Sequence, residues 1–262
     1  QAYAFDENGA EVLLNKRLTK FYESRMGLRS WRNLTGFFLK EGKTKAKSLV
    51  KIFLRLLLFR NDIPVVVAST GRSGSTVLFE SLVSSFVQNK INKKYKYLFG
   101  NKVLKSAIQG YIDRITSIDR FSPVIMKTHD LINGSHVDKA KFIFVYGDPL
   151  EAAISVENVV NKKGLIWFEE HQYHLRASGE YKDLYTKDVL NYEGQIRSWF
   201  GMKSNNVLIV KYEDIWDRVS EISDFVGFSV SLPQRKERTP KNKPLHYDQH
   251  LFNTLRKFTE EY

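Results

Sequence analysis

The run Val65-Val66-Val67-Ala68-Ser69-Thr70-Gly71-Arg72-Ser73-Gly74-Ser75-Thr76-Val77-Leu78 leaves this chain few folds to choose from. Pro64 introduces a short apolar, valine-rich segment, the pattern of a parallel strand buried on both faces. From Val77 to Val87, Leu78, Leu82, Val83 and Phe86 fall on one helical face. Between strand and helix, Gly71 and Gly74 permit backbone angles and close approaches that a side chain would block. Ser75 and Thr76 sit where free amide donors and the positive end of a helix dipole converge, a site suited to phosphate or sulfate.

Further strands follow the same rule. Pro123 to Asp130 is apolar and ends in polar residues. Lys141 to Tyr146 runs into Gly147-Asp148-Pro149-Leu150-Glu151, where Asp148 is placed to cap a helix, Pro149 to be its first residue and Glu151 to complete a capping box. Asn206 to Tyr212 is a fourth strand, followed by a helix through Phe225, and a last helix is expected over 247–260. Strands alternating with helices predict an α/β class: a mostly parallel central sheet flanked by helices, a P-loop-like three-layer sandwich. Between the first two strands, 88–105 reads as a polar, basic, tyrosine-rich mobile insertion and 105–120 as a further helix.

The predicted organisation is a helical N-terminal arm over 1–62, packed on an α/β domain over 63–262. Within the arm, 43–60 reads as a strong helix with Lys47, Lys51 and Arg55 recurring every four residues. Its apolar run is too short and interrupted to span a bilayer. It either packs on the sheet with snorkelling lysines or makes peripheral contact with an anionic membrane surface. The chain of 262 residues contains no cysteine, which excludes disulfides, thiolate metal sites and cysteine nucleophiles. It opens at Gln1 with no signal peptide in view; a cytoplasmic protein is expected, with a missing leader or anchor left open. The net charge of +12 suits an anionic ligand, a polyanion or a membrane. Nucleic acid is not expected, because zinc-finger spacing, an aromatic RNP-type strand and a long basic run are all lacking.

The loop is not a Walker A motif: the lysine before the hydroxyl residue is missing and the glycines are too close together. The dinucleotide pattern G-x-G-x-x-G fails as well. This disfavours standard kinase or ATPase chemistry. Lys127 and His129, two apart at the end of a strand, point to the same side and towards the loop. Residues 161–203 are rich in aromatics and histidine and suggest a layer covering a substrate. His171 and His174 lie three apart there without an evident third metal ligand, so no metal is expected.

Strand–(K/R)-S-G-(S/T)-T–helix resembles the 5′-phosphosulfate loop of sulfotransferases that use 3′-phosphoadenosine 5′-phosphosulfate (PAPS). Lys127-Thr128-His129 resembles the K-T-H segment of the cytosolic branch, Asp148-Pro149 with Ser155 the R-D-P…S segment, and Lys211-Tyr212-Glu213-Asp214 the Y-E-D after a core strand. The resemblance runs from Ile63 to Asp214. It implies that Gly71, Arg72, Ser73, Gly74, Ser75 and Thr76 hold the 5′-phosphate, and that Ser155 binds the 3′-phosphate. It further implies that Arg72 and Lys127 act at the sulfonate, and that His129 is the base in in-line transfer to a hydroxyl or amine of a small molecule or saccharide, leaving PAP. Three departures stand out. Gly147 replaces the arginine before Asp-Pro, Val77 replaces the aromatic that stacks on adenine, and Arg235-Lys236-Glu237 only partly echoes R-K-G. Arg235, Lys236, Arg238 or Lys241 is expected to supply the missing charge. The competing reading is a catalytically weak nucleotide- or anion-binding protein associated with a membrane or polyanion; a nucleotide kinase with an aberrant loop is a third.

Overall fold

A computed structural model describes residues 54, 55, 59, 62–119, 121–235, 244 and 246–260. Of the predicted arm over 1–62 only Leu54, Arg55, Phe59 and Asp62 are described, so the arm and the membrane reading of 43–60 otherwise lie outside the described residues, as do Lys236, Arg238 and Lys241.

Five strands form the sheet among the described residues: β1 (Val65–Ser69), β2 (Gln109–Tyr111), β3 (Ile125–Thr128), β4 (Lys141–Tyr146) and β5 (Val207–Lys211). Their order is β2-β3-β1-β4-β5, and every pairing is parallel. The chain therefore leaves β1 in one direction to build β2 and β3, then crosses it to build β4 and β5. Ligands of open parallel sheets bind beyond the carboxyl ends of strands at such a reversal, which here is the end of β1. Register sets the detail. Val67 pairs with Lys127 and Ala68 with Thr128, so His129, one residue on, falls beside Ser69. On the other side Ser69 pairs with Val145.

Alternation along the strands sends side chains to two apolar layers. Val65, Val67, Ile125, Ile143 and Val145 face Leu78, Leu82 and Phe86 of α1 (Ser75–Lys90) and Leu104 and Ile108 of α2 (Lys93–Ile108). Val66, Ala68, Met126, Phe142 and Phe144 face α3 (Pro149–Lys163) through Leu150 and Ile154. The same layer takes in Phe168 of α4 (Leu165–Leu175) and Ile196 and Trp199 of α5 (Tyr192–Phe200). Trp199 lies flat on Phe144, ring centroids 5.1 Å apart and 8° from parallel. α6 (Val219–Val226) adds Ile222 to the first layer, and α7 (Gln249–Lys257) adds Phe252 and Leu255 to the second. Helices thus cover both faces of the sheet, the three-layer α/β arrangement predicted.

The predicted insertion and helix between 88 and 120 take a different form. α2 occupies Lys93–Ile108, interrupted at Gly100 (φ 72°, ψ 150°), and β2 follows it at the sheet edge. Its lysines hid an apolar set, Tyr95, Phe99, Leu104 and Ile108, that packs on the α1 layer. β2 offers no apolar pattern. Its Gly110 is required by a close approach, because a Cβ there would stand 2.5 Å from Pro123 Cγ.

Candidate active site

The loop after β1 is wound tightly. Gly71, Arg72 and Gly74 have φ of 53°, 55° and 80°, in the left-handed region. At Gly74 the geometry excludes any side chain: a Cβ would fall 2.2 Å from Cε2 of Tyr212. Ser73 Oγ donates to the carbonyl of Val145 at 3.1 Å, fixing the loop to β4, and Ser69 Oγ and Ser75 Oγ are 2.9 Å apart. Gly74 is also the N-cap of α1 and brings no capping side chain. The amides that open α1 therefore have no side-chain cap, and the helix dipole stands behind them.

Two cations flank these amides. Lys127 is buried and donates through Nζ to Thr76 Oγ1 at 2.8 Å. Burial, followed by repulsion from Arg72, brings its ammonium down to about 8 against a weaker pull from Glu80. Arg72 Nε donates to Ser155 Oγ at 3.0 Å, so the loop guanidinium reaches the middle of α3. His129 closes the site. Its Nδ1 lies 2.9 Å from the carbonyl oxygen of Ser69 and 3.1 Å from Ser69 Oγ. A carbonyl only accepts, so Nδ1 carries the proton and Nε2 holds the lone pair. Burial holds the ring neutral, down to about 4; the Ser69 bond opposes this, and Lys127, His174 and Arg72 add to it.

Two further residues enter the site from α4 and α5. The ring of His171 stacks on Trp167 (4.8 Å, 16°) and meets the ring of His129 edge-on at 5.9 Å. Gln195, fully buried, donates through Nε2 to the carbonyl of His129 at 2.6 Å and that of Leu175 at 3.2 Å, joining the end of β3 to the end of α4. Arg176 holds Asp130, the residue after His129, through Nε at 2.9 Å, while Asp130 Oδ2 accepts from the amide of Ile115. No sequence pattern marks Gln195. His171 was visible as a histidine in an aromatic-rich segment, but without its distance to the loop.

No family model and no curated protein matches this chain. Among solved structures, retinol dehydratase in a complex with retinol and PAP is 17% identical, with 64% of this chain and 61% of that one covered at a TM-score of 0.37. Retinol dehydratase in complex with androsterone and inactive cofactor PAP is 15% identical over 76% of this chain and 63% of its own, at 0.35. Mouse sulfotransferase SULT7A1 complexed with PAP is 14% identical over 75% and 64%, at 0.37. The chain thus spans less than two thirds of the length of each.

The structure brings Gly71, Arg72, Ser73, Gly74, Ser75, Thr76, Lys127, His129 and Ser155 into one site. Arg235 stands at one remove. Its guanidinium lies over the Trp216 ring at 5.6 Å, Trp216 meets Tyr212 edge-on at 5.5 Å, and Tyr212 is the ring against Gly74. Gly147 sits beside the loop, where a Cβ would be 3.6 Å from Ser73 Cβ. Among the described residues no group of three or more potential metal ligands is found.

Proposed function

We propose that the protein is a PAPS-dependent sulfotransferase acting on a hydroxyl or amine of a small molecule or saccharide. The observation that carries this reading is the meeting of Lys127, on Thr76, and neutral His129, on Ser69, at the uncapped first turn of α1. The site also suits a bound anion in another respect. Thr70 Oγ1, of the residue before Gly71, and His171 Nε2, beside Gly71, are buried without a hydrogen-bond partner among the described residues.

In this reading the amides of Ser73 to Thr76 hold the 5′-phosphate, as helix N-termini do. Arg72 and Lys127, both positively charged at neutral pH, face the charge that builds on the leaving oxygen, a fixed electrostatic stabilisation that needs no reorganisation. His129 Nε2 takes the acceptor's proton as the new S–O or S–N bond forms. PAPS, when bound, supplies an activated sulfonate, with PAP departing with the electrons of the broken S–O bond. Ser155, already bonded to Arg72, couples the sulfonate end of the site to α3.

Calorimetric titration with PAP, AMP and ATP, followed by an acceptor screen with PAPS, tests the reading. PAP is expected to bind most tightly, and His129→Ala to lower kcat by about 100-fold or more while PAP affinity is kept. Absence of PAP binding, or wild-type turnover by His129→Ala, would sink it.

A further inference from the structure

His171 is 8% exposed, and its Nε2 is buried with no hydrogen-bond partner among the described residues. A buried polar atom left unpaired costs about 1–3 kcal/mol, so its persistence at one place calls for an explanation. The ring cannot turn away freely. Trp167 stacks on one of its faces and the His129 ring abuts it. On a third side it approaches the loop: a Cβ at Gly71 would be 3.1 Å from Nε2. A Cβ there would crowd His171 and stand 2.9 Å from Leu175 Cδ2. The loop is therefore shaped to admit this imidazole. Nε2 thus stands beside the start of the phosphate loop, on a ring that meets the ring of the base.

We infer that His171 Nε2 is a ligand-facing group that hydrogen-bonds the sulfonate of the bound donor. This rests on the sulfotransferase reading, and deepens it by adding a contact to the transferred group. The 5′-phosphate belongs at the amides further along the loop, and the acceptor's proton belongs to His129. The group between them is the sulfonate. Burial, with His129, Arg72, His174 and Lys127 adding to it, keeps the His171 imidazole neutral, down to about 3. In the tautomer that carries its proton on Nε2, the neutral ring donates beside two cations and is not a second base.

The test compares PAP, which lacks the sulfonate, with PAPS by calorimetry on the wild type, His171→Phe and His171→Gln. Phe keeps the stack on Trp167 and removes the polar atom; Gln restores a donor. His171→Phe is expected to hold PAP within about 2-fold and to weaken PAPS about 10-fold, the size of one hydrogen bond to a charged group. His171→Gln is expected to recover most of that loss. If both variants change PAP and PAPS by the same factor, or change neither, the inference is overturned. A wild type that binds neither nucleotide removes the sulfotransferase reading itself, and the inference with it. A wild type that binds both, with an unaltered PAPS-to-PAP ratio in His171→Phe, removes the inference alone.

Discussion

At Gly147 the backbone ends β4 against the phosphate loop, with Tyr192 donating its hydroxyl to the Gly147 carbonyl at 2.6 Å. Its φ lies outside the left-handed region, and a Cβ would make ordinary contact with Ser73, so neither strain nor a clash at the first atom demands glycine. Under the proposed sulfotransferase reading, the position marks a missing charge more than a backbone need. Gly147→Arg is therefore expected to raise PAP affinity by about 5- to 10-fold, the worth of one charge-assisted bond to phosphate, and to leave AMP unchanged. Calorimetry with the two nucleotides decides it: an equal change for both would remove the 3′-phosphate from this corner. Residue types at the site were legible because each chemistry needs its own group. Lys127 and His129 were set two apart by the strand, and the loop glycines were set by the turn. Arg72 resting on Ser155 was not legible, since 83 residues separate them and nothing in either segment names the other.

α3 shows what an element owes to local signals and what it owes to the distant chain. Asp148 caps it as expected, with Oδ1 accepting from the amides of Leu150 and Glu151 at 2.9 and 3.0 Å, and Pro149 is its first residue. Those features lie within four residues and were readable. The partner of the cap was not: Arg256 on α7 grips both carboxylate oxygens, at 2.6 and 3.2 Å. Burial works against the charged carboxylate, and Arg256 with the two amides more than offsets it, holding Asp148 below its ordinary range. Asp148→Ala removes cap and ion pair together and is expected to cost about 1–2 kcal/mol. Arg256→Ala leaves the cap and, since this pair is about a third exposed, is expected to cost less than about 1 kcal/mol. Denaturant melts of the two variants test the order; equal losses would mean that the ion pair, not the cap, secures the end of α3. α2 and β2 were missed for a related reason. The apolar face of α2 is defined only once α1 exists to receive it, and β2 is a strand because β3 pairs with it.

Over the whole molecule, the central place of β1 makes the site and the core inseparable. Its carboxyl end lies between β3 and β4, under α4, so Lys127, His171 and the partly buried His129 are drawn from water there whether or not their charge favours it. Two of them are imidazoles, His129 and His171, held neutral down to about 4 and about 3. Their surroundings are Lys127, Arg72 and His174, all of which oppose a second positive charge. In the unfolded chain both rings protonate near ~6.5. As pH falls below that value the unfolded state binds protons that the folded state refuses, so the stability these rings permit is progressively lost until the folded values are reached. Each ring contributes a slope of up to about 1.4 kcal/mol per pH unit. Asp62 and Asp188, raised chiefly by burial, act in the opposite sense at the lower end of the range. The window in which the histidines stand alone is therefore pH 6.5 to about 5. Urea denaturation across it is expected to show stability falling as the solution is acidified, and His171→Phe is expected to halve the slope. A flat or rising stability over that interval would mean that the two rings are not buried together in the folded protein. The site as described would then be wrong at its centre.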